Sequence, residues 1–366
     1  MSRPTPRPTP HLASLLGSHL PPSGASRRAV LLAGAGGLAG LLAACGSNGS
    51  SGSTAAATDG GDAASSAPAG PWSFTDDRGE TVTLDAVPQR IVGYADEVSA
   101  LWGFGIAPVG VWHRYQLDQD LNFADRDTSG VTVLGTTYGE IDLEALAGLA
   151  PDLLVVPGYP NDSSGELTGS LFSFADQAQQ DSAAKIAPIV AIAQKGTSDQ
   201  VVARNAELAE SLGADLASAD LAQAEADWEA ACERVRATAS KGLVVGALYA
   251  TPSDGMYWAK ATDDPGLAFY QSLGITFLEL TADPSAYYWE TASWENASKY
   301  TPDVVLYSPI DALDADGLKA QPTFAPTPAA QASQLYPWYF GSQDHVQQAR
   351  VLNALADDLE KANKVT

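Results

Sequence analysis

The 366-residue sequence predicts an α/β fold of two similar lobes joined by one long α-helix. Three features predict it. The first is an internal echo. Asp142-Leu143-Glu144 leads to Ala150-Pro151-Asp152 and the apolar run Leu153–Val156, and Ser293-Trp294-Glu295 leads to Thr301-Pro302-Asp303 and the run Val304–Tyr307. In both copies a glutamate stands seven residues before proline. Asp142 or Ser293 can cap a helix. The glutamate then falls in the first turn, where the helix dipole favours negative charge. Proline stops the helix. An unbroken apolar run suits a strand buried on both faces of a parallel sheet.

The second feature is a weaker echo. Arg90–Tyr94 leads to Ala100–Val111, and Leu243–Tyr249 leads to Gly266–Leu278. Each reads as strand, loop, helix, glycine C-cap, strand. The third is the proline-free stretch Asp199–Ser240. Leu221, Trp228 and Val235 recur there every seven residues, with Ala224, Ala231 and Cys232 on the same face. Residues 215–239 predict one helix on the order of 35 Å long. Its place between two echoing units makes it a connecting spine. Cys232 reads as a small buried apolar residue, and Val346–Lys361 as a closing amphipathic helix.

The N-terminal region carries a different message. Ser26-Arg27-Arg28 precedes the apolar stretch Ala29–Ala44, and Leu42-Ala43-Ala44-Cys45 ends it. A basic pair, a short apolar segment and small residues before a cut site form an export signal. The run looks like a lipobox, whose cysteine, Cys45, is lipidated. The stretch falls short of the roughly 20 residues of a membrane span. Residues 46–70 are Gly, Ser, Ala, Thr and Asp with little else, a composition that stays flexible. The chain therefore divides into a lipoprotein signal peptide (1–45), a flexible tether (46–70), an N-terminal α/β lobe (71–198), a helical spine (199–240) and a C-terminal α/β lobe with its closing helix (241–366). The predicted location is extracytoplasmic, with the protein lipid-anchored to the cell membrane.

Charge narrows the partners. The net charge is −24, and removing a leader that holds Arg3, Arg7, Arg27 and Arg28 takes it to −28. Such an acidic chain is a poor nucleic-acid binder. Enzyme motifs are missing too. There is no Gly-x-Ser-x-Gly elbow and no Walker loop. Gly103-Phe104-Gly105 continues without a third glycine, so it is not a dinucleotide fingerprint. Neither a cofactor nor catalysis is predicted.

The segments Arg90-Ile91-Val92, Leu101–Val111, Asp142-Leu143-Glu144 with Ala150–Val155, and Ser293-Trp294-Glu295 with Thr301–Val305 resemble the iron-siderophore and cobalamin substrate-binding proteins of ABC importers. The resemblance spans residues 72–361. It implies two Rossmann-like lobes joined by a rigid helix, with ligand in the cleft between them. It also implies that Glu144 and Glu295, one per lobe, dock onto arginines of a permease dimer driven by a cytoplasmic ATPase. The protein would act as a monomer, and its lobes would close little.

In open α/β sheets, ligands sit beyond the carboxyl ends of the strands. The residues just after the proposed strands are rich in aromatics, which make broad, stiff, amphipathic walls. The candidate ligand-binding set is Tyr94, Trp112, Arg114, Tyr138 and Tyr159 in the first lobe and Tyr257, Trp258, Tyr288, Trp289 and Trp338 in the second. Arg114 is the foremost cation, because a guanidinium grips two anionic oxygens at once. Tyr159 looks like the tyrosine after the fourth strand of hydroxamate-binding relatives. Where those relatives carry an arginine, this chain has Thr136-Thr137-Tyr138. The ligand implied is a ferric siderophore or similar iron chelate. Haem, cobalamin or a bare metal ion is the alternative. Zinc and manganese sites usually draw on several histidines, and beyond the leader only His113 and His345 exist. A single set of His113, Asp96 and Glu97 is too thin for such a site, so no metal site is predicted.

Overall fold

A computed structural model describes residues 70–366, apart from Ser163, residues 281–286 and Asp311. Cys45, the signal peptide and the tether up to residue 69 lie outside the described residues. No helix among the described residues is long and apolar enough to cross a membrane.

The chain enters through an antiparallel hairpin, β1 (Trp72–Thr75) and β2 (Thr81–Leu84). Then come β3 (Ile91–Tyr94), helix α1 (Ala95–Gly103), β4 (Gly110–Trp112), β5 (Thr132–Gly135), helix α2 (Leu143–Gly148), β6 (Leu153–Gly158) and β7 (Ile189–Ala193). The last five strands form one sheet in the order β5-β4-β3-β6-β7, every pairing parallel. This is the doubly wound Rossmann order, with its switch point beside β3. Strands β3, β4, β6 and β7 are buried throughout, as apolar runs covered on both faces must be.

Helix α3 (Ser198–Ser211) leads to α4 (Ala219–Ala239), the long helix. A second sheet follows, built from β8 (Val244–Thr251), β9 (Gly255–Ala259), β10 (Thr276–Phe277), β11 (Trp289–Ala292), β12 (Val304–Tyr307) and β13 (Leu335–Pro337). Helix α5 (Pro265–Ser272) lies between β9 and β10, and α6 (His345–Lys361) closes the fold. The sheet order is β11-β9-β8-β12-β13, with β10 also pairing β8. It is not a copy of the first sheet. β9 folds back on β8 as an antiparallel hairpin, and β11 adds antiparallel to β9. Tyr257 and Trp258, placed by sequence just after a strand, therefore lie within one.

The predicted helix stripe seats in two cores. Leu221 packs against the first lobe's cluster of Ile91, Leu101, Val155 and Ile192. Ala231, Cys232 and Val235 belong to the second lobe's cluster with Val245, Leu267 and Leu352. Trp228, midway, stacks on Phe269 at 5.7 Å and meets His345 at 5.2 Å. Burial pushes the Cys232 thiol up to about 11, which leaves it protonated and inert.

The Pro-Asp pair of the echo has an atomic role. Asp152 Oδ2 accepts the Gln89 and Arg90 N–H groups, both at 2.8 Å, just ahead of β3. Asp303 Oδ2 accepts Val244 N–H at 2.8 Å at the start of β8, and its Oδ1 takes the N–H of Val365 and the N–H and hydroxyl of Thr366. Each aspartate fastens the first strand of its lobe. Burial pushes the Asp303 carboxyl up, but these hydrogen bonds outweigh it and hold the group down at about 2.

A second polar set joins the lobes. Asn122 donates to Phe340 O at 3.1 Å and accepts Ser342 N–H at 2.9 Å. Arg350 donates to Leu121 O at 2.7 Å and pairs with Asp125. Arg126 stands 3.7 Å from Asp344, whose other oxygen caps α6 through Gln347 N–H. Helix α1 ends against this carboxylate. A Cβ at Gly103 would lie 2.3 Å from Asp344 Cγ, so the close approach requires glycine. Burial raises Asp344 to about 6 despite the Ser342 hydroxyl and Arg126.

Two outcomes follow from these contacts. Asp303→Ala orphans four donors and is expected to cost about 2–4 kcal/mol in urea unfolding, more than Asp152→Ala at its more exposed clasp. Equal losses would contradict the clasp ranking. Asp344 binds its proton more tightly folded than unfolded. Wild-type stability should therefore fall relative to Asp344→Asn as pH rises through about 6, by roughly 3 kcal/mol in all. A stability difference that is flat from about pH 4 to 7 would rule this out.

Candidate functional site

A cleft of about 1210 Å³, counted to its open mouth, lies between the two sheets. Asp96 and Glu97 enter it from the first turn of α1, Arg114 from just beyond β4, and Tyr159 from just beyond β6. These are the carboxyl ends of the strands at the switch point, where doubly wound sheets hold ligands. From the second lobe come Tyr249, Tyr257, Tyr270, Tyr288, Trp289, Trp338 and Phe340.

Of the sequence-predicted set, the fold brings Arg114, Tyr159, Tyr257, Tyr288, Trp289 and Trp338 together on the cleft wall. Tyr94, Trp112, Tyr138 and Trp258 do not line it. Trp112 is the last residue of β4, and its indole turns into the first lobe's core, donating to Ser173 O at 2.8 Å. Tyr94 ends β3 in the same core, 6.3 Å from Trp112. Tyr138 leans on Phe172 and donates to Phe174 O. Trp258 sits in β9, where side chains alternate faces. Its neighbour Tyr257 faces the cleft, and Trp258 goes into the core against Tyr300.

Trp289 is the hub of the aromatic wall. Tyr288 lies 4.7 Å from it, Tyr249 6.3 Å, Tyr257 6.4 Å and Trp338 6.4 Å, with Phe340 4.5 Å beyond Trp338. Tyr288 is held in a left-handed backbone conformation, φ 67°. Two aspartates fix it there. Asp264 accepts its hydroxyl at 2.5 Å, and Asp263 accepts its N–H at 2.9 Å. Asp264 also caps α5. A bulky residue in this region is strained and persists only where its surroundings hold it, so the wall is preorganised.

Arg114 is the only cation lining the cleft among the described residues. Burial opposes its charge, but Tyr94, Tyr115, Asp96 and Tyr159 around it push the pKa up, and it stays a guanidinium. No carboxylate lies within ion-pair distance of it among the described residues. Glu97 is 1% exposed and accepts from Gln194. Burial, then the charges of Asp96 and Asp77, push its carboxyl well above the usual range. Burial also raises Asp264. Burial thus biases Glu97 and Asp264, two of the three cleft acids, toward the neutral form.

Several buried polar atoms facing the cleft have no protein partner: Glu97 Oε2, Ser198 Oγ, Trp289 Nε1, Gln343 Oε1 and Gln348 Oε1. Buried polar groups are normally satisfied, so this unused capacity is available to a polar ligand. Sequence reasoning missed Ser198, Gln343 and Gln348. They come from helices and a loop outside the strand-end rule, and no local motif marks them. His113 faces Asp120, Nε2 to Oδ2 3.3 Å.

Glu144 and Glu295 are both exposed. Glu144 lies in the first turn of α2, whose cap Asp142 accepts Ala145 N–H at 2.8 Å. Glu295 lies in the first turn of a 3-10 segment, Trp294–Lys299.

The comparisons with known proteins agree with this geometry. A family model described as periplasmic binding protein matches residues 94–340. The ferric-siderophore receptor protein DesE from Streptomyces coelicolor is 32% identical, with a TM-score of 0.72 over 81% of this chain and 100% of its own. The heme binding protein HmuT, 18% identical, gives 0.57 over 83% and 96%. FhuD2 from Staphylococcus aureus with bound ferrioxamine B, 17% identical, gives 0.52 over 74% and 98%. The last two share the fold. No curated protein matches the sequence. The chain belongs to the periplasmic binding protein family, the extracytoplasmic, non-catalytic substrate-binding components of ABC importers.

Proposed function

We propose that this protein captures a ferric siderophore and delivers it to an ABC permease, tethered to the cell membrane by lipid on Cys45. The observation that carries the reading is the cleft wall: an aromatic surface centred on Trp289, facing a single guanidinium, Arg114. An iron chelate offers apolar linkers to the rings and anionic oxygens to the arginine. The similarity to a ferric-siderophore receptor supports the same ligand class. Residues 71–198 and 241–366 act as the two lobes, and 199–240 as the spine. The Leu-Ala-Ala-Cys sequence and the tether composition support the lipid anchor.

The charge of the cleft refines the ligand. One guanidinium set among three carboxyl groups, Asp96, Glu97 and Asp264, leaves little net positive charge. A neutral tris-hydroxamate complex suits it better than a triply anionic tris-catecholate, whose burial needs several cations. Titration with ferric hydroxamates, ferric catecholates, haem and cobalamin, followed by tryptophan quenching, tests this. Saturable quenching by a hydroxamate complex is expected, weakened about tenfold or more in Arg114→Ala, since a charge-assisted hydrogen bond contributes roughly 1.5–3 kcal/mol. Preference for the catecholate, or silence across the panel from a folded protein, would refute the reading.

Glu144 and Glu295 are the proposed permease contacts, equivalent in the two lobes and both exposed. The Glu144→Ala, Glu295→Ala double variant should bind chelate like the wild type and fail to support uptake by cells. Normal uptake would remove the docking assignment.

A further inference from the structure

One cluster at the edge of the cleft has two members, His113 and Asp120, that chelate capture does not use. Asp96, His113 and Asp120 each present one ligand-type atom, and the three atoms lie within 4.8 Å of one another. Three separate segments deliver them. Asp96 opens α1, His113 follows β4 with its N–H fixed on Gly135 O, and Asp120 starts a short 3-10 turn whose Asn122 N–H it accepts through Oδ1. His113 is 1% exposed and Asp120 4%.

The hydrogen-bond accounting of this cluster is unusual. Neither nitrogen of His113 has a partner, and Asp120 Oδ2 has none. His113 Nε2 and Asp120 Oδ2 are 3.3 Å apart, yet they do not meet in hydrogen-bonding geometry. Buried imidazoles and carboxylates are rarely left in this state. The separation has another meaning. Two donors at about 2.1 Å from a common cation, at a tetrahedral angle, stand roughly 3.4 Å apart. Asp96 Oδ2 is close to the Tyr159 hydroxyl at 3.4 Å, a long contact that is readily exchanged for a stronger one.

We propose that Asp96, His113 and Asp120 form a binding site for one first-row divalent cation between the cleft and the loop that ties the lobes together. One imidazole and two carboxylates are a donor set for Zn²⁺, Mn²⁺ or Fe²⁺. The two carboxylates match the charge of the ion, and neighbouring Arg114 opposes it, so binding is moderate rather than tight. Asp120 shares its turn with Asn122, which bridges to Phe340 and Ser342. An ion here would brace that bridge. The proposal stands on residues that the siderophore reading does not require, Asp96 excepted, and its test contains no chelate.

The metal-free full chain is titrated with Zn²⁺ by calorimetry and with Co²⁺ by visible absorption. One ion per chain is expected. His113→Ala, Asp120→Asn and Asp96→Asn should each weaken it at least tenfold, while His345→Ala leaves it unchanged. The Co²⁺ band should alter in Asp120→Asn, which keeps an acceptor for the Asn122 turn and so preserves the fold if His113→Ala does not. Circular dichroism of each variant checks folding. No saturable binding by the wild-type chain, or unchanged affinity in any folded variant of the three, overturns the site. Loss of Zn²⁺ binding in His113→Ala or Asp120→Asn with chelate capture intact separates this site from the receptor function.

Discussion

The structure depends on one helix being buried at its two ends in different cores. Leu221 is committed to the first lobe and Val235 to the second, and about 21 Å of helix separates them at 1.5 Å per residue. A helix holds that separation because every internal backbone group is already paired. Moving one lobe strips apolar surface from one end of the stripe, at roughly 25 cal/mol per Å² exposed. Helix α6 packs along the same element through Trp228 and His345. The cleft is thus the gap left between two sheets whose spacing is set elsewhere.

A cleft of fixed spacing needs walls that are already in place. Tyr288 shows how this is done. Its left-handed backbone is unfavourable alone, and two consecutive aspartates hold it from both the N–H and the hydroxyl. One of them also caps α5, so the wall is bolted to the lobe's framework. Little ordering cost then remains for the moment of binding. Polar atoms without partners in such a wall are capacity that a polar ligand can complete.

The repeat was legible because its physics is local. Helix cap, acidic first turn, proline stop and apolar strand each follow from a few adjacent residues, and the pattern then appears twice. Arg114 and Tyr159 were legible because strand ends in doubly wound sheets point toward ligands. What the sequence hid is facing and long-range pairing. Tyr257 and Trp258 are adjacent and equally aromatic, and only the β8–β9 register sends one to the cleft and the other to the core. Trp112 was misplaced by one residue, since it ends its strand instead of following it. His113 faces Asp120, seven positions away across an irregular loop, a juxtaposition no periodicity announces.

At Gly103 the backbone of the first lobe meets the second with no side chain between them. The carboxylate it touches caps the closing helix and faces Arg126 of the opposite lobe. A methyl group added there becomes a wedge, because the nearest atoms belong to a short, doubly tethered side chain that cannot swing aside. No residue of the ligand wall is touched by such a change. The resting angle of the two lobes and the chemistry of their cleft can therefore vary independently. Angle is adjustable at one glycine, and ligand choice at the aromatic wall.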